Sequence, residues 1–420
     1  TVARFRQQFA GTAGDLFAQV LVLCARLGMG RVGTVALDGT KIGADASKDA
    51  NRTEEGLRKL AAGLAARHAA TDAEEDALFG AGKRGDDDPG DPGTRSERIA
   101  AALASLEAER AGREAAEREA ARAHLDAART GALPPAGRPP AGAGAETARA
   151  ALERQRAACL ERIETWERRK AAGGRAGPRP VGPEQSSLVR RAAAQLERAL
   201  AREEARAARA AAQAPAVRNV TDPDSRLMPV RGGGFIQGYN AQNVTSEDGL
   251  VIATRLTQDT ADTRWFKPMM DAAAAAAAMM AAAGGPGDGR IALSLADAGY
   301  LSRENLTCPG PDRLIATGKH RNLEKAARGG REDSGHGDGP VAAMTARLAA
   351  PEGITAYRRR SHQAETFHGQ VKHNTGIRRL AMRGMPRASG EWQFITAVAN
   401  LAKAITSGHL TPAAITALTR

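Results

Sequence analysis

The sequence predicts an α/β fold interrupted by a long, mostly helical insertion, and three observations carry that prediction. Apolar runs of β type occur near the start of the chain and again in its second half. In the second half these runs alternate with helix-type segments. Between Phe79 and Trp166, and again between Trp166 and Phe235, no aromatic residue occurs, and the text is Ala, Arg and Glu broken by Gly/Pro clusters.

Composition sets the outer limits. The chain has 420 residues, Lys+Arg 60 against Asp+Glu 48, and a formal net charge of +12. That length permits two to three domains, and the charge favours a polyanionic partner. Apolar residues make up 42% but aromatics only 3%, and Ala inflates the first figure, so a dense core occupies only part of the length. Cys24, Cys159 and Cys308 are far apart with no Cys-x-x-Cys, which fits a reducing, cytoplasmic compartment and gives no zinc site. The run 16–25 is interrupted by Gln19 and stops at Arg26, and the Ala/Met block 272–283 is short, so neither reaches the ~20 apolar residues of a membrane span. The chain opens on Thr1 and enters a helical pattern directly, which reads as a fragment lacking its N-terminal part.

In order, residues 32–37 (V-G-T-V-A-L) form a buried strand ending at Asp38-Gly39-Thr40, with residues 41–46 turning back alongside it. Residues 97–125 and 187–212 hold helix formers with interleaved Glu and Arg, as solvated helices or a helical hairpin, and no apolar heptad persists long enough for a coiled coil. Residues 80–93 and 131–144, rich in Gly, Pro and Asp, are loops or disordered. Residues 234–244 and 250–258 are strands joined by a hairpin turn with Gly249 where positive φ is needed. Asp262 or Thr263 caps a helix over 264–283, which the Gly/Pro run 284–289 stops. Residues 290–296 are a strand running into Asp297-Ala298-Gly299-Tyr300, 314–317 a last short strand, 329–340 a loop, and 355–379 and 391–407 helices. Strand, strand, strand, helix, strand, short helix, strand, helix is the order of a ribonuclease H-like domain, here with the insertion after the first strand pair. The chain divides into 1–52 (N-terminal helix and first strands), 53–214 (Ala/Arg-rich, partly disordered helical insertion), 215–407 (remainder of the α/β domain) and 408–420 (C-terminal tail).

That order puts Asp38 and Asp297 at strand ends, each followed by small residues that leave a carboxylate in an open crevice. Such acids suit Mg²⁺, a hard cation held by one or two carboxylates plus substrate phosphate. Taken singly, a strand-end Asp more commonly makes a turn or cap. Glu365 is the third candidate acid. It precedes Lys372 by seven residues, about 20° apart on one face at 3.6 residues per turn, so a metal ligand and a phosphate-binding ammonium could address one substrate strand. Arg378, Arg379, Arg383 and Arg387 continue the basic run, and Tyr357 and Arg360 precede it; without Glu365 these would be a solvated face. His320, His336, His362, His368 and His373 have no Cys partners at zinc spacing, and His368 and His373 are better placed near phosphate. Gly232, Gly233 and Gly234 lack a following Lys-Ser/Thr and mark a bend, not a phosphate loop.

The blocks V-A-L-D-G-T-K-I (35–42), T-D-P-D-S-R-L-M (221–228), G-F-I-Q-G-Y-N-A-Q (234–242), L-A-D-A-G-Y (295–300), G-Q-V-K-H-N (369–374) with Glu365, and E-W-Q-F-I-T-A-V-A-N-L (391–401) together resemble bacterial insertion-sequence transposases of the DDE type, the branch with a Tyr-Arg-Glu-Lys signature. The resemblance covers roughly residues 1–60 and 215–405. It implies that Asp38, Asp297 and Glu365 are the catalytic, metal-binding triad for two Mg²⁺ ions, with Mn²⁺ able to substitute. It also implies that Tyr357, Arg360 and Lys372 contact DNA phosphates near the scissile bond, with His373, Arg378 and Arg379 extending the DNA-binding surface. Activity would be metal-dependent cleavage at element ends followed by strand transfer to target DNA, by a cytoplasmic, nucleoid-associated homodimer. One departure is that four residues separate Arg360 from Glu365 where the family has three. The N-terminal DNA-binding domain of similar proteins is expected to be missing. The alternative expectation is a truncated, catalytically inactive DNA-binding remnant; a helical scaffold built on 97–212 explains none of the strand-end acids.

Overall fold

The computed structural model describes residues 12–79, 95–135, 139–140, 142–175, 177–211, 215–230, 232–318 and 339–418. The expected loops at 80–93 and most of 329–340, together with His320 and His336, lie outside them. Two compact units divide the chain, 1–102 with 217–420, and 103–216.

The first unit is built on a mixed sheet. α1 (Ala13–Arg26) leads into β1 (Thr34–Gly43), then β2 (Asn51–Thr53) and α2 (Glu54–Phe79). After the segment of the second unit come β3 (Val217–Asn219), β4 (Arg226–Pro229), β5 (Phe235–Thr245) and β6 (Val251–Thr257). The bulge at Val244/Thr245 closes the β5–β6 hairpin, where Gly249 takes the positive φ of 84° that its turn demands. α6 (Phe266–Ala282), preceded by a 3₁₀ turn Thr263–Trp265, leads to β7 (Leu293–Ala296), α7 (Arg303–Thr307) and β8 (Asp312–Ile315). The sheet order is β6, β5, β1, β7, β8: β5 runs antiparallel to β1 and β6, while β7 and β8 run parallel to β1. β4 adds to the first half of β5.

Alternation along β1 builds a core on each face. Val35 and Leu37 pack with Leu21, Cys24, Phe266, Ala273 and Ala277 of α1 and α6. Ala36 points the other way, toward Leu295, Leu314, Met344, Leu348 and Tyr357. The last residues of that set belong to α8 (Pro340–Ala349) and α9 (Pro351–Arg360). α9 continues without a break through a π-helical turn Ser361–Glu365, a short α segment Thr366–Gly369 and a second π turn Gln370–Asn374. α10 (Met385–Thr406) then buries Trp392 against Ile42, Tyr239, Val251 and Phe367, and α11 (Pro412–Leu418) lies in the expected tail.

The second unit contains most of α3 (Arg95–Thr130), and all of α4 (Gly144–Ala171) and α5 (Ser187–Ala211). α4 and α5 pack through a small cluster of Leu152, Val189 and Ala192, edged by Ala193 and Leu196. Gly131 and Gly142 take positive φ in the described part of the α3–α4 connection. Among the described residues no helix is long and apolar enough to cross a membrane.

Three sequence expectations are corrected. Residues 41–46 do not turn back: β1 runs on to Gly43, paired with β5 as far as Gly238, so β1 and β2 are not a strand pair. The misleading signal is Asp38-Gly39, which resembles a turn, yet Gly39 has no positive φ. β2 pairs instead with β3, Asn51 opposite Asn219, both within the first unit, which the chain leaves after Ala102 and rejoins at Val217. Last, Asp262 makes no side-chain cap at the start of its 3₁₀ turn. Helices Glu54–Phe79 and Gly144–Ala171 fall in the stretch expected to be mostly helical, although neither was given bounds in the sequence.

Candidate active site

The site follows from one register. In the parallel β1–β7 pair, Leu37 lies opposite Ala296, so the next residues follow side by side: Asp297 just past the end of β7, and Asp38 inside β1 where its pairing with β7 stops. The expectation that the first strand ends at Asp38 is corrected, because pairing with β5 carries β1 on to Gly43. Asp38 Oδ1 accepts from the Gly39 N–H at 3.0 Å and lies 3.6 Å from Arg360 Nη1; His368 Nδ1 is 3.5 Å from Oδ2. Burial alone would raise this carboxyl, but His368, Arg360 and the Gly39 N–H outweigh it and hold it below the usual range. Asp297 Oδ1 accepts from the Gly299 N–H at 2.9 Å. Its carboxyl is raised, first by burial and then by the negative charge of Asp38, which Arg360 only partly offsets.

A further acid joins them. Asp262 Oδ1 accepts from Asn240 Nδ2 at 2.6 Å and Gln242 Nε2 at 2.7 Å, both on β5, and lies 3.5 Å from Lys41 Nζ. The two glycines after Asp38 and Asp297 make room for it. A Cβ on Gly39 would come within 2.6 Å of Asp262 Oδ1, and one on Gly299 within 3.0 Å of Asp297 Oδ1 and 3.2 Å of Asp262 Oδ2. Gln242 Oε1 in turn accepts from the buried Tyr300 hydroxyl. Sequence reasoning missed Asp262, because an Asp ahead of a helix reads first as a cap.

The remaining expected residues separate into two groups. Arg360 stands inside the site with its side chain 16% exposed. Tyr357 is buried: its hydroxyl donates to Ala296 O at 3.1 Å and shares a hydrogen bond with Arg360, and burial foremost pushes its pKa up to about 12. Lys372 Nζ donates to Lys41 O at 2.8 Å and to Thr40 Oγ1, at the far end of β1. Burial lowers its pKa, while Asp38 pulls the other way. The expected 20° between Glu365 and Lys372 assumed α turns throughout, and a π turn at Gln370–Asn374 widens the step between them. Glu365 closes the earlier π turn, Ser361–Glu365; its side chain lies outside the described part. His373 and Arg378 are exposed beside one another, with Arg378 Nη2 3.4 Å from His373 Nδ1. Arg379 is held by Asp45 at 2.7 Å and by Ala44 O at 3.0 Å.

Chemically, burial and the charge of Asp38 oppose ionisation of Asp297, an environment that a divalent cation relieves. Among the described residues no three His, Cys, Asp or Glu side chains are grouped to hold a metal, and Glu365 is not among those side chains. Asp38 and Asp297 are oxygen donors of the kind that a hard divalent cation takes.

The fold and site define an α/β protein with two acids on adjacent parallel strands, Asp38 within β1 and Asp297 just past β7. A family model described as "Transposase DDE domain" matches residues 336–405, the segment that carries Tyr357, Arg360, Glu365 and Lys372. No curated protein and no solved structure matches the chain. The match is confined to the late helices, and what it shows is a likeness to a transposase DDE domain over that segment.

Proposed function

We propose that this chain is a DDE-type DNA transposase that catalyses metal-dependent strand cleavage and strand transfer of an insertion sequence, with Asp38, Asp297 and Glu365 as its metal-binding acids. The observation that carries the reading is the β1–β7 register, which sets Asp38 beside Asp297 on strands that the family match does not cover. The family match adds the late helix, with Glu365 on it.

Asp38 and Asp297 would hold Mg²⁺, or Mn²⁺ in its place, together with Glu365. The chemistry that two such bound ions supply is activation of an attacking water or 3′-hydroxyl and neutralisation of charge on the scissile phosphate. Arg360 keeps Asp38 ionised and ready for a cation, and Tyr357 pins the Ala296 carbonyl and so the position of Asp297. Lys372 ties the late helix to the end of β1 beside Asp38 and presents positive charge to the phosphate backbone. His373 and Arg378 extend that surface outward, with Arg379 behind them on Asp45. Residues 1–52 and 215–407 form the catalytic domain, 53–214 its helical insertion and 408–420 a tail. The active form is a nucleoid-associated homodimer, because two element ends must be joined.

The four-residue gap between Arg360 and Glu365 would favour the inactive-remnant reading if the helix were regular. A π turn closes i→i+5 in place of i→i+4, and the turn Ser361–Glu365 falls on that gap, so the extra residue is absorbed without losing helical phase. Mg²⁺-dependent nicking of supercoiled DNA, with Asp297→Asn as control, tests the proposal. Nicking by the unaltered chain alone is expected; equal background from both proteins would leave the remnant reading in its place.

A further inference from the structure

His368 stands on the Asp38 carboxylate, and its ring is wired to the centre of the sheet. We infer that His368 is a positioning residue for Asp38, its Nδ1–H turned to the carboxylate and its Nε2 fixed as an acceptor by a relay of fixed hydrogen-bond polarity from Trp392 through Thr254 and Asn243. This inference rests on the reading of Asp38 as a catalytic carboxylate.

The polarity follows from the two ends of the relay. An indole N–H can only donate, and Trp392 Nε1 lies 2.8 Å from Thr254 Oγ1, so that hydroxyl accepts there. Its own proton goes to Asn243 Oδ1 at 2.6 Å. The Asn243 amide is oriented a second time, independently, because its other atom lies 3.3 Å from Ala241 O, a pure acceptor, and must be the NH₂. That NH₂ meets His368 Nε2 at 3.1 Å, so Nε2 presents its lone pair and the ring proton sits on Nδ1, which faces Asp38 Oδ2 at 3.5 Å. Flipping the amide would set NH₂ against the Thr254 hydroxyl and a carbonyl oxygen against Ala241 O.

The geometry is built into the sheet. Asn243 on β5 is the cross-strand partner of both Asp38 on β1 and Thr254 on β6, so the three form one row across adjacent strands. Asn243 and Trp392 are buried, and the His368 side chain is 13% exposed, so little water competes for these bonds. The chemical consequence is orientation: Nδ1–H faces Oδ2 of Asp38 while the Gly39 N–H holds Oδ1, so the carboxylate plane is set from both sides.

The test uses the full chain, without metal, at pH 8. Long-range ¹H–¹⁵N spectra of the imidazole rings distinguish the two tautomers and the doubly protonated ring. There are eight histidines, so the His368 signals are assigned by their loss in His368→Asn. The expected result is a bare Nε2 and a protonated Nδ1, with that bias lost in Asn243→Leu, which removes the donor to Nε2. A protonated Nε2 in the unaltered chain, or an unchanged tautomer in Asn243→Leu, would overturn the relay. Mn²⁺ titration followed by electron paramagnetic resonance tests the purpose of the relay. His368→Asn keeps a donor at the Nδ1 position and should bind within about threefold of the unaltered chain, whereas His368→Phe should weaken binding by about tenfold or more. Equal Mn²⁺ affinity for the Asn and Phe variants would remove the positioning role. The tautomer stands or falls without reference to nicking, so a failed cleavage assay would count against the transposase reading and not against the relay.

Discussion

Asp38 and Asp297 are neighbours whose environments push them in opposite directions, and their variants should separate accordingly. Asp297 has its folded pKa raised, by burial first and by Asp38 second, so its ionised form costs stability once pH exceeds that raised value. Without metal at pH 7, Asp297→Asn should therefore raise the melting temperature, with the gain vanishing as pH falls below the ordinary carboxylate range. Asp38 has its folded pKa lowered, so its contribution is present above the unfolded value and lost as pH falls through the lower folded one. Asp38→Asn should lower the melting temperature at pH 7, less so toward strong acid. Melting curves of both variants from pH 3 to 8 check this, and like signs at pH 7 would contradict it. Lys372 is a second residue whose role is set by its partners. Its ammonium satisfies Lys41 O and Thr40 Oγ1, so Lys372→Ala should cost about 1 kcal/mol in urea unfolding, more than the ~0.5 kcal/mol bound for an ordinary surface lysine. Asp297 follows an apolar run that does end as a strand, so its place was legible in the sequence, whereas the run before Asp38 continues as β1 to Gly43 and only the β7 pairing stops there. Asp262 and His368 were not legible, because their meaning depends on which strands lie side by side.

The helix that carries the late motif shows where periodicity stops being informative. A spacing of seven residues defines a face only if every turn is α, and nothing in Ser361–Glu365 or Gln370–Asn374 announces a wider turn. If the first π turn absorbs one extra residue, deleting Ser361 should let it close as α-helix and keep both melting temperature and Mn²⁺ affinity near those of the unaltered chain. Inserting one Ala at the same point should lower Mn²⁺ affinity by tenfold or more; similar affinities for the two variants would show that phase at this turn is irrelevant. The block T-D-P-D-S-R stood out in the sequence, but its task did not. Asp222 Oδ1 accepts from the Gly384 N–H at 3.1 Å and Asp224 Oδ2 from the Met385 N–H at 2.7 Å, so the pair caps α10, while Asp222 Oδ2 accepts from the buried Tyr239 hydroxyl at 2.7 Å. Asp222→Ala strands both donors and should cost about 2–3 kcal/mol in denaturant unfolding, against ~1 kcal/mol for Asp224→Ala, which removes a cap alone. Glycine misled in the same manner: Gly39 clears space for a carboxylate, and a sequence does not separate a glycine that makes room from one that turns.

At the scale of the whole chain the two units differ in what holds each together. The first has apolar clusters on both faces of its sheet, whereas α4 and α5 share only a few aliphatic side chains beneath Arg- and Glu-rich surfaces. The second unit should unfold first, at lower urea and with a shallower slope. Trp166 lies in it while Trp265 and Trp392 lie in the first unit, so the fluorescence difference between the unaltered chain and Trp166→Phe isolates its transition. A single coincident transition would show the units to be coupled. The β2–β3 ribbon gives that difference a topological dimension. Asn51 and Asn219 are cross-strand partners, so residues 54–216 begin and end at one spot. Loop closure depends only weakly on loop length, so shortening residues 103–216 should leave the entropy of closing the ribbon almost unchanged.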